Sequence, residues 1–128
     1  MKKYFIDTNV ILRFLLHDNE EYYNKAAGYF EDAKAGKIEL NLIPEVVFEI
    51  DYVLRGVYSL SKQEVVEVCS RLARSPSLKI VDRNILIDTL EKYKAMNIDL
   101  FDIYLYNFAL SKKASILSFD RDFNKFEK

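Results

Sequence analysis

The fold is decided by the stretch Tyr4-Phe5-Ile6-Asp7-Thr8-Asn9-Val10, in which a short apolar run leads into a carboxylate and then into a helical pattern. Residues 4–6 favour β-structure and are continuously apolar, which is typical of a buried strand in a parallel sheet. Asp7 then follows the carboxyl end of that strand, at the edge where open α/β sheets bind ligands. Two interpretations of Asp7 stay open on this stretch: a catalytic carboxylate, or a cap of the following helix.

Beyond this stretch, strand and helix patterns alternate along the chain. Short β-favouring runs predict further strands at 38–43, 78–81 and 115–119, and apolar residues at helical spacing fill the intervals. The repeated order of strand and helix implies parallel strands joined by right-handed crossovers. The pattern therefore predicts an α/β domain with a mainly parallel sheet.

Several helix boundaries are marked by capping residues. Pro44 fits the first position of a helix, and Ser61 with Glu64 forms a capping-box pattern. Asp18 with Glu21 resembles a second box of this kind. These signals predict helices that begin at or just after each capping residue.

The composition predicts one cytoplasmic domain spanning residues 1–128. Half of the residues are hydrophobic, with three Gly and two Pro, as in packed helices and strands. Cys69 lies at helical spacing among apolar residues and is interpreted as a core residue, so a reducing compartment is expected. His17, the only histidine, is interpreted as a helix-terminal surface residue. Asp7, Asn9 and other polar residues interrupt the apolar amino terminus, so we expect neither export nor a membrane span.

The net charge of −1 argues against nucleic-acid binding by bulk attraction, since such domains are usually basic. It does not exclude a nucleic-acid ligand. Acids that hold divalent cations lower the formal charge, while the bound cations restore positive potential near the site.

Two acids lie on the margins of the apolar stripe in the helix that follows Pro44. Glu49 and Asp51 fall on opposite sides of it, and periodicity alone does not choose between them. Either would be a half-buried carboxylate, which is costly without a cation or a hydrogen-bond donor.

The carboxyl-terminal third carries the remaining acids. Asp99 is expected to cap a helix, and Asp102 lies in its first turn among large apolar residues, which places it in the interior or in a cleft. Asp120 follows the predicted strand 115–119 as Asp7 follows the first strand, and Asp122 comes two residues later. Gathering such acids raises their pKa values unless cations lie between them, and oxygen-only ligands select Mg²⁺ or Mn²⁺.

In this order and spacing, four motifs resemble PIN-domain ribonucleases, and most nearly the VapC-type toxins of prokaryotic type II toxin–antitoxin pairs. The resemblance extends from about Tyr4 to Phe126. The motifs are Phe5-Ile6-Asp7-Thr8-Asn9-Val10, Pro44-Glu45-Val46-Val47-Phe48-Glu49, Leu100-Phe101-Asp102-Ile103 and Leu117-Ser118-Phe119-Asp120-Arg121-Asp122-Phe123.

The resemblance implies a three-layer α/β/α domain with a central, mainly parallel sheet of four or five strands. It also implies a Mg²⁺- or Mn²⁺-dependent endoribonuclease, and it selects Glu49 over Asp51. The implied catalytic and metal-binding acids are Asp7, Glu49, Asp102 and Asp120. The implied supporting residues are Thr8, Asn9, Asp99, Ser118 and Asp122.

The resemblance further implies an RNA substrate, a small antitoxin protein and a homodimer. Family members commonly carry a further strand after the segment matching 120–126, so the last sheet edge is expected to be absent, short or supplied by a partner. An arginine of the antitoxin is expected beside Asp7 and Asp120, because a guanidinium suits clustered carboxylates. Aromatic residues are candidates for a groove that receives an apolar helix, or are simply core or amphipathic surface. They are Tyr22, Tyr23, Tyr29, Phe30, Tyr52 and Tyr58.

Two other classes of function stay open. One is a catalytically inert module that keeps the fold and binds RNA or protein. The other is a receiver-like or phosphatase-like α/β domain built on Asp7. The receiver interpretation lacks a lysine after the last predicted strand, where Asp120 stands, and the phosphatase interpretation favours Asp at position 9, which is Asn.

Overall fold

The computed structural model describes residues 1–127 and contains a short parallel sheet among many helices. The elements in chain order are β1 (Lys2–Phe5), α1 (Thr8–Leu16), α2 (Glu20–Lys34), β2 (Ile38–Leu42), α3 (Pro44–Gly56), α4 (Lys62–Arg74), β3 (Leu78–Ile80), α5 (Arg83–Ala95), α6 (Leu100–Ser111) and a 3₁₀ helix (Arg121–Phe126). The predicted α/β fold with a parallel sheet is confirmed.

The sheet has the order β1-β2-β3, with all neighbours parallel. In the register, Tyr4 lies beside Leu40, which in turn lies beside Leu78. Ile6 extends the first ladder by donating its N–H to the Asn41 carbonyl oxygen at 2.9 Å. The sheet order differs from the 2-1-3-4-5 order of receiver domains, in which β1 is central. The receiver-like interpretation is therefore wrong.

Capping residues mark the helix starts as the sequence predicts at α3 and α4, whereas the capping side chain differs at α2 and the Asp99 side chain makes no capping hydrogen bond at α6. Ser61 and Glu64 form the full capping box of α4, and Pro44 begins α3. At α2 the capping side chain is Asn19, which accepts the Tyr22 N–H at 3.0 Å, whereas Asp18 lies 3.6 Å from Arg13. The box predicted at Asp18 is wrong, because Asn19 lies one residue nearer to the helix start and can reach the same free N–H groups.

The core joins the strands to the inner faces of the helices. Cys69 is fully buried in it, and burial raises the pKa of its thiol to about 12, as suits the predicted core residue. His17 ends α1 in a left-handed conformation at the surface, as predicted. Among residues 1–127, no helix has the length and apolarity needed to cross a bilayer.

The strand predicted at 115–119 does not form, so the sheet of residues 1–127 has three strands rather than four or five. Leu117 and Phe119 are 99% and 106% exposed. The chain turns at Lys113, with φ 56°, and the 3₁₀ helix then packs on α6, where Phe126 stacks on Tyr106 with ring centroids 4.0 Å apart. The tail is therefore held along α6, and the outer edge of β1 has no strand beside it within the described residues.

This arrangement predicts how substitutions will affect stability. Replacing Leu117 or Phe119 with Ser should change the free energy of unfolding by less than about 0.5 kcal/mol, because neither side chain loses a buried contact. Ile103→Ala, at a fully buried position of α6, should cost about 2–5 kcal/mol. Urea denaturation of the three variants measures this. A loss above about 1.5 kcal/mol for Leu117→Ser would mean that residues 115–119 pack on the sheet in solution.

Candidate active site

Asp7 lies at the junction of β1 and α1. It is the N-cap of α1, and its carboxylate accepts the Thr8 N–H at 2.9 Å. Thr8 is buried, whereas Asp7 and Asn9 are exposed beyond the strand end. Asp7 thus caps the helix and still presents its carboxylate to solvent, so the two interpretations of this residue are compatible.

The two acids of α3 that periodicity left unresolved, Glu49 and Asp51, have opposite environments. Glu49 is exposed. Asp51 is 6% exposed and accepts the Tyr93 hydroxyl at 3.1 Å on both carboxylate oxygens. Burial nevertheless raises the pKa of Asp51, against the lowering effect of Tyr93 and Arg55. Asp51 is therefore occupied inside the protein, whereas Glu49 is exposed to solvent, as is Glu45 at the start of the helix.

Asp102 lies in the first turn of α6 and is half-buried. Burial raises the pKa of its carboxyl group, and three neighbouring carboxylates raise it further: Asp99, Asp120 and Asp122. Within residues 1–127 the Asp102 carboxylate accepts no hydrogen bond and forms no ion pair. Negative charge therefore gathers around Asp102, and no cationic side chain of residues 1–127 pairs with its carboxylate.

The acids near Asp102 lie at the starts of two helices, α6 and the 3₁₀ helix. Asp99 is the N-cap residue of α6, but its side chain makes no capping hydrogen bond. Asp120 caps the 3₁₀ helix by accepting the Asp122 N–H at 2.9 Å, and its own N–H donates to Ser118 Oγ at 3.0 Å. Asp122 also pairs with Lys125 at 3.1 Å.

The predicted acids are thus brought together only in part. The fields of Asp99, Asp120 and Asp122 reach Asp102, but in residues 1–127 no three acidic, histidine or cysteine side chains lie close enough to share one ion. Asp120 stays with α6 because the tail packs there, whereas Asp7 belongs to α1 at the sheet edge. The carboxylate chemistry fits Mg²⁺ or Mn²⁺, and the charge excess at Asp102 is what a divalent cation would neutralise.

Sequence reasoning missed the polar network around Asp51. Arg55 donates to the Tyr93 hydroxyl, and the Lys62 ammonium donates to the Tyr93 carbonyl oxygen at 3.1 Å and to that of Met96 at 2.8 Å. The sequence did contain a signal, since Asp51 lies one residue after the buried Ile50 and three before the buried Leu54. No sequence signal identified its partner Tyr93, which is 42 residues away along the chain.

An apolar groove lies between α1, α2 and α4. Its volume is about 410 Å³, and Phe14 forms part of its wall together with Phe30, whose ring centroid is 4.8 Å away. Its apolar lining residues are Ile11, Phe14, Leu15, Phe30, Val68, Leu72 and Leu78. Of the six aromatics predicted to form a groove, only Phe30 lines this one, while Tyr22, Tyr29, Tyr52 and Tyr58 are exposed outside it.

A parallel sheet among helices, with exposed or half-buried acids after a strand and in the first turn of a helix, defines the chain as an α/β domain. The chain belongs to the PIN domain family, whose match covers residues 4–128. PIN domains are generally nucleases, so this chain has a nuclease fold. Searches of curated proteins and of solved structures each returned no match to the chain.

The Asp51 network predicts a pH-dependent effect on stability. Tyr93→Phe removes the donor that stabilises the Asp51 carboxylate and should cost about 1–3 kcal/mol at pH 7. The folded-state pKa of Asp51 is already raised, so its ionised form weakens folding above the unfolded pKa of about 4. The variant raises this pKa further, so its extra cost should shrink as the pH falls toward 4.

Urea denaturation at pH 7 and at about pH 4.5 measures the effect. Tyr52→Phe is the matched control, because Tyr52 is also on this side of α3 but is exposed and should be neutral at both pH values. An equal loss for Tyr93→Phe at both pH values would contradict the role given to Asp51.

Proposed function

We propose that this protein is a metal-dependent endoribonuclease that hydrolyses RNA phosphodiester bonds. The observation that carries the proposal is Asp102, which stands unpaired among Asp99, Asp120 and Asp122 with a raised pKa. Repulsion between these carboxylates lowers stability, and a bound cation would relieve that repulsion. Membership of the PIN family supports the same reading.

In this proposal Asp7, Glu49, Asp102 and Asp120 are the ligands of Mg²⁺ or Mn²⁺. They would have to move together to hold it, because among residues 1–127 no three of these side chains lie close enough to share one ion. The bound metal supplies water activation and charge neutralisation at the phosphate. The exposure of Asp7, Glu49 and Asp120 to solvent supports this ligand set.

The remaining site residues have positioning roles. The buried Thr8 fixes the start of α1 and so the direction of Asp7, while Asn9 offers an exposed amide on the next helical position. Ser118 Oγ accepts the Asp120 N–H and restricts that loop. Asp99 and Asp122 add negative charge near Asp102, which strengthens attraction for a divalent cation.

We further propose that the enzyme is the toxin of a toxin–antitoxin pair. The groove between α1, α2 and α4 supports this, because its apolar lining suits the apolar face of a partner helix. An arginine of the partner would neutralise the acids in place of metal. A homodimer is part of the same proposal, and a monomeric mass in sedimentation would refute that part.

Cleavage of RNA should require added Mg²⁺ or Mn²⁺ and should stop in EDTA, because oxygen ligands alone build the site. Asp102→Asn should lower the rate by about a hundredfold or more. The melting temperature of this variant should be unchanged or slightly higher, since one repelling charge is lost. Gel assays on structured and single-stranded RNA, with thermal melts, measure both effects.

Asp88→Asn is the matched control, because Asp88 is an exposed acid of α5 outside the site and its loss should leave cleavage unchanged. Cleavage that persists in EDTA would sink the metal mechanism. A folded protein that cleaves no RNA with either metal would instead favour the inert PIN-like binding module.

The antitoxin proposal predicts that a gene beside this one encodes a small protein with an amphipathic carboxyl-terminal helix and an arginine. Adding that protein should inhibit cleavage. Replacing its arginine with alanine should weaken inhibition by about tenfold or more, because a charge-assisted contact to the acids is lost. Inhibition assays with both forms measure this. Unchanged inhibition would refute insertion into the site, though not binding in the groove.

A further inference from the structure

A second cleft, on the opposite face of α1 from the apolar groove, is lined by cations and aromatic rings. We call it the α1–α2 cleft. It has a volume of about 350 Å³. The polar and aromatic residues that line it are Asn9, Arg13, Tyr22, Lys25 and Tyr29. Asn9 is two residues from Asp7, so the cleft begins beside the proposed active site.

The charge of the α1–α2 cleft is opposite to that of the whole chain. Among the described residues that line it, Arg13 and Lys25 are cationic and none is acidic. Arg13 lies 3.6 Å from Asp18, and Lys25 lies 3.4 Å from Glu21. The four side chains of these two pairs are 42–75% exposed, so the pairs contribute little to stability and a phosphate can compete for the two cations.

Two tyrosine rings in the cleft are contacted by other groups and are about half exposed, Tyr22 at 48% and Tyr29 at 45%. The Arg13 guanidinium lies 4.8 Å from the centre of the Tyr22 ring, and the Lys25 ammonium lies 5.7 Å from it. Tyr29 meets the ring of Tyr4 edge-on at 5.5 Å. Rings fixed in this way can stack with a planar ligand at small cost in conformational entropy.

We propose that the α1–α2 cleft binds the unpaired strand of the RNA substrate next to the cleaved phosphate. Arg13 and Lys25 contact backbone phosphates, and bases stack on Tyr22 and Tyr29. Cations interleaved with aromatic rings are the combination that binds single-stranded nucleic acid. This inference rests on the proposed ribonuclease function, which it extends by assigning the substrate strand and its binding surface.

A partner helix fits this cleft less well than RNA does. The aliphatic lining of the cleft is limited to Val10 and Ala26, among the described residues, whereas an apolar helix needs a wide apolar surface. The apolar groove, which Phe14 and Leu15 line, provides that surface on the other side of α1. Charge complementarity therefore favours a polyanion in the α1–α2 cleft.

Fluorescence anisotropy with a labelled single-stranded RNA of about ten nucleotides tests the proposal, in EDTA so that no cleavage occurs. Tyr22→Leu and Tyr29→Leu should each weaken binding about five- to tenfold. Arg13→Gln with Lys25→Gln should flatten the slope of log affinity against log salt by about 1.4, since each lost charge contributes about 0.7. Tyr22→Phe should bind like the wild type, because the stacking face is kept.

Matched controls come from similar residues outside the cleft. Tyr58 is 45% exposed, close to the 48% of Tyr22, and lies just beyond the end of α3. Lys94 is an exposed lysine of α5. Tyr58→Leu and Lys94→Gln should leave both the affinity and the salt slope unchanged.

Equal affinity of the cleft variants and the wild type would overturn the proposal, as would equally tight binding of duplex RNA of the same length. Variants that bind RNA normally but escape the inhibitor would assign the cleft to the protein partner and overturn it too. These outcomes are separate from failure of the proposed function. A lower RNA affinity of the cleft variants in EDTA would support the cleft even if the protein cleaves no RNA. Normal cleavage by the wild type, together with unchanged RNA affinity of the cleft variants, would refute the cleft but not the ribonuclease function.

Discussion

The link between α3 and α5 depends on the stabilisation of one buried carboxylate. Asp51 is shielded from water, and an uncompensated carboxylate there would cost several kcal/mol. The Tyr93 hydroxyl, which accepts a hydrogen bond from Arg55, shares its single proton between the two carboxylate oxygens, each 3.1 Å away. Lys62 ties the backbone at Tyr93 to the start of α4. Three helices are thereby fixed by one polar cluster.

Asp102 shows what happens when a carboxylate of the same domain has no such donors. It lies on α6, which packs on both α3 and α5 and so inherits their fixed positions. Its neighbours Asp99, Asp120 and Asp122 add repulsion instead of relieving it. Asp51 thus has its partners within the fold, and in the proposed function Asp102 takes its partner from outside.

The sequence predicts those features that local chemistry determines. Ser61 with Glu64 marks a helix start because the two side chains satisfy neighbouring backbone N–H groups, whatever the rest of the chain does. The strand at 115–119 fails for the opposite reason, since β-propensity holds only if a neighbouring strand and a covering layer are present. Contact of Phe126 with Tyr106 draws the tail to α6, and no local pattern reveals that contact.

The candidate site divides in the same way. The position of Asp7 follows from a strand that runs directly into a helix, so the sequence predicts it. Periodicity could not separate Glu49 from Asp51, because the decision rests on Tyr93 in a distant helix. The α1–α2 cleft was hidden for a related reason: Arg13 and Tyr22 belong to different helices, and only their packing brings the cation over the ring.

Helix α1 connects these surfaces and limits how an inhibitor can act. Ile11, Phe14 and Leu15 face the apolar groove, whereas Asn9, Val10 and Arg13 face the α1–α2 cleft, on nearly opposite sides of the helix. A partner helix seated in the groove therefore leaves Arg13 and Tyr22 uncovered. In the proposed toxin–antitoxin pair, inhibition from the groove would then have to come from an extension that reaches around the start of α1 to Asp7, since occupancy of the groove alone would not displace RNA from the proposed binding cleft.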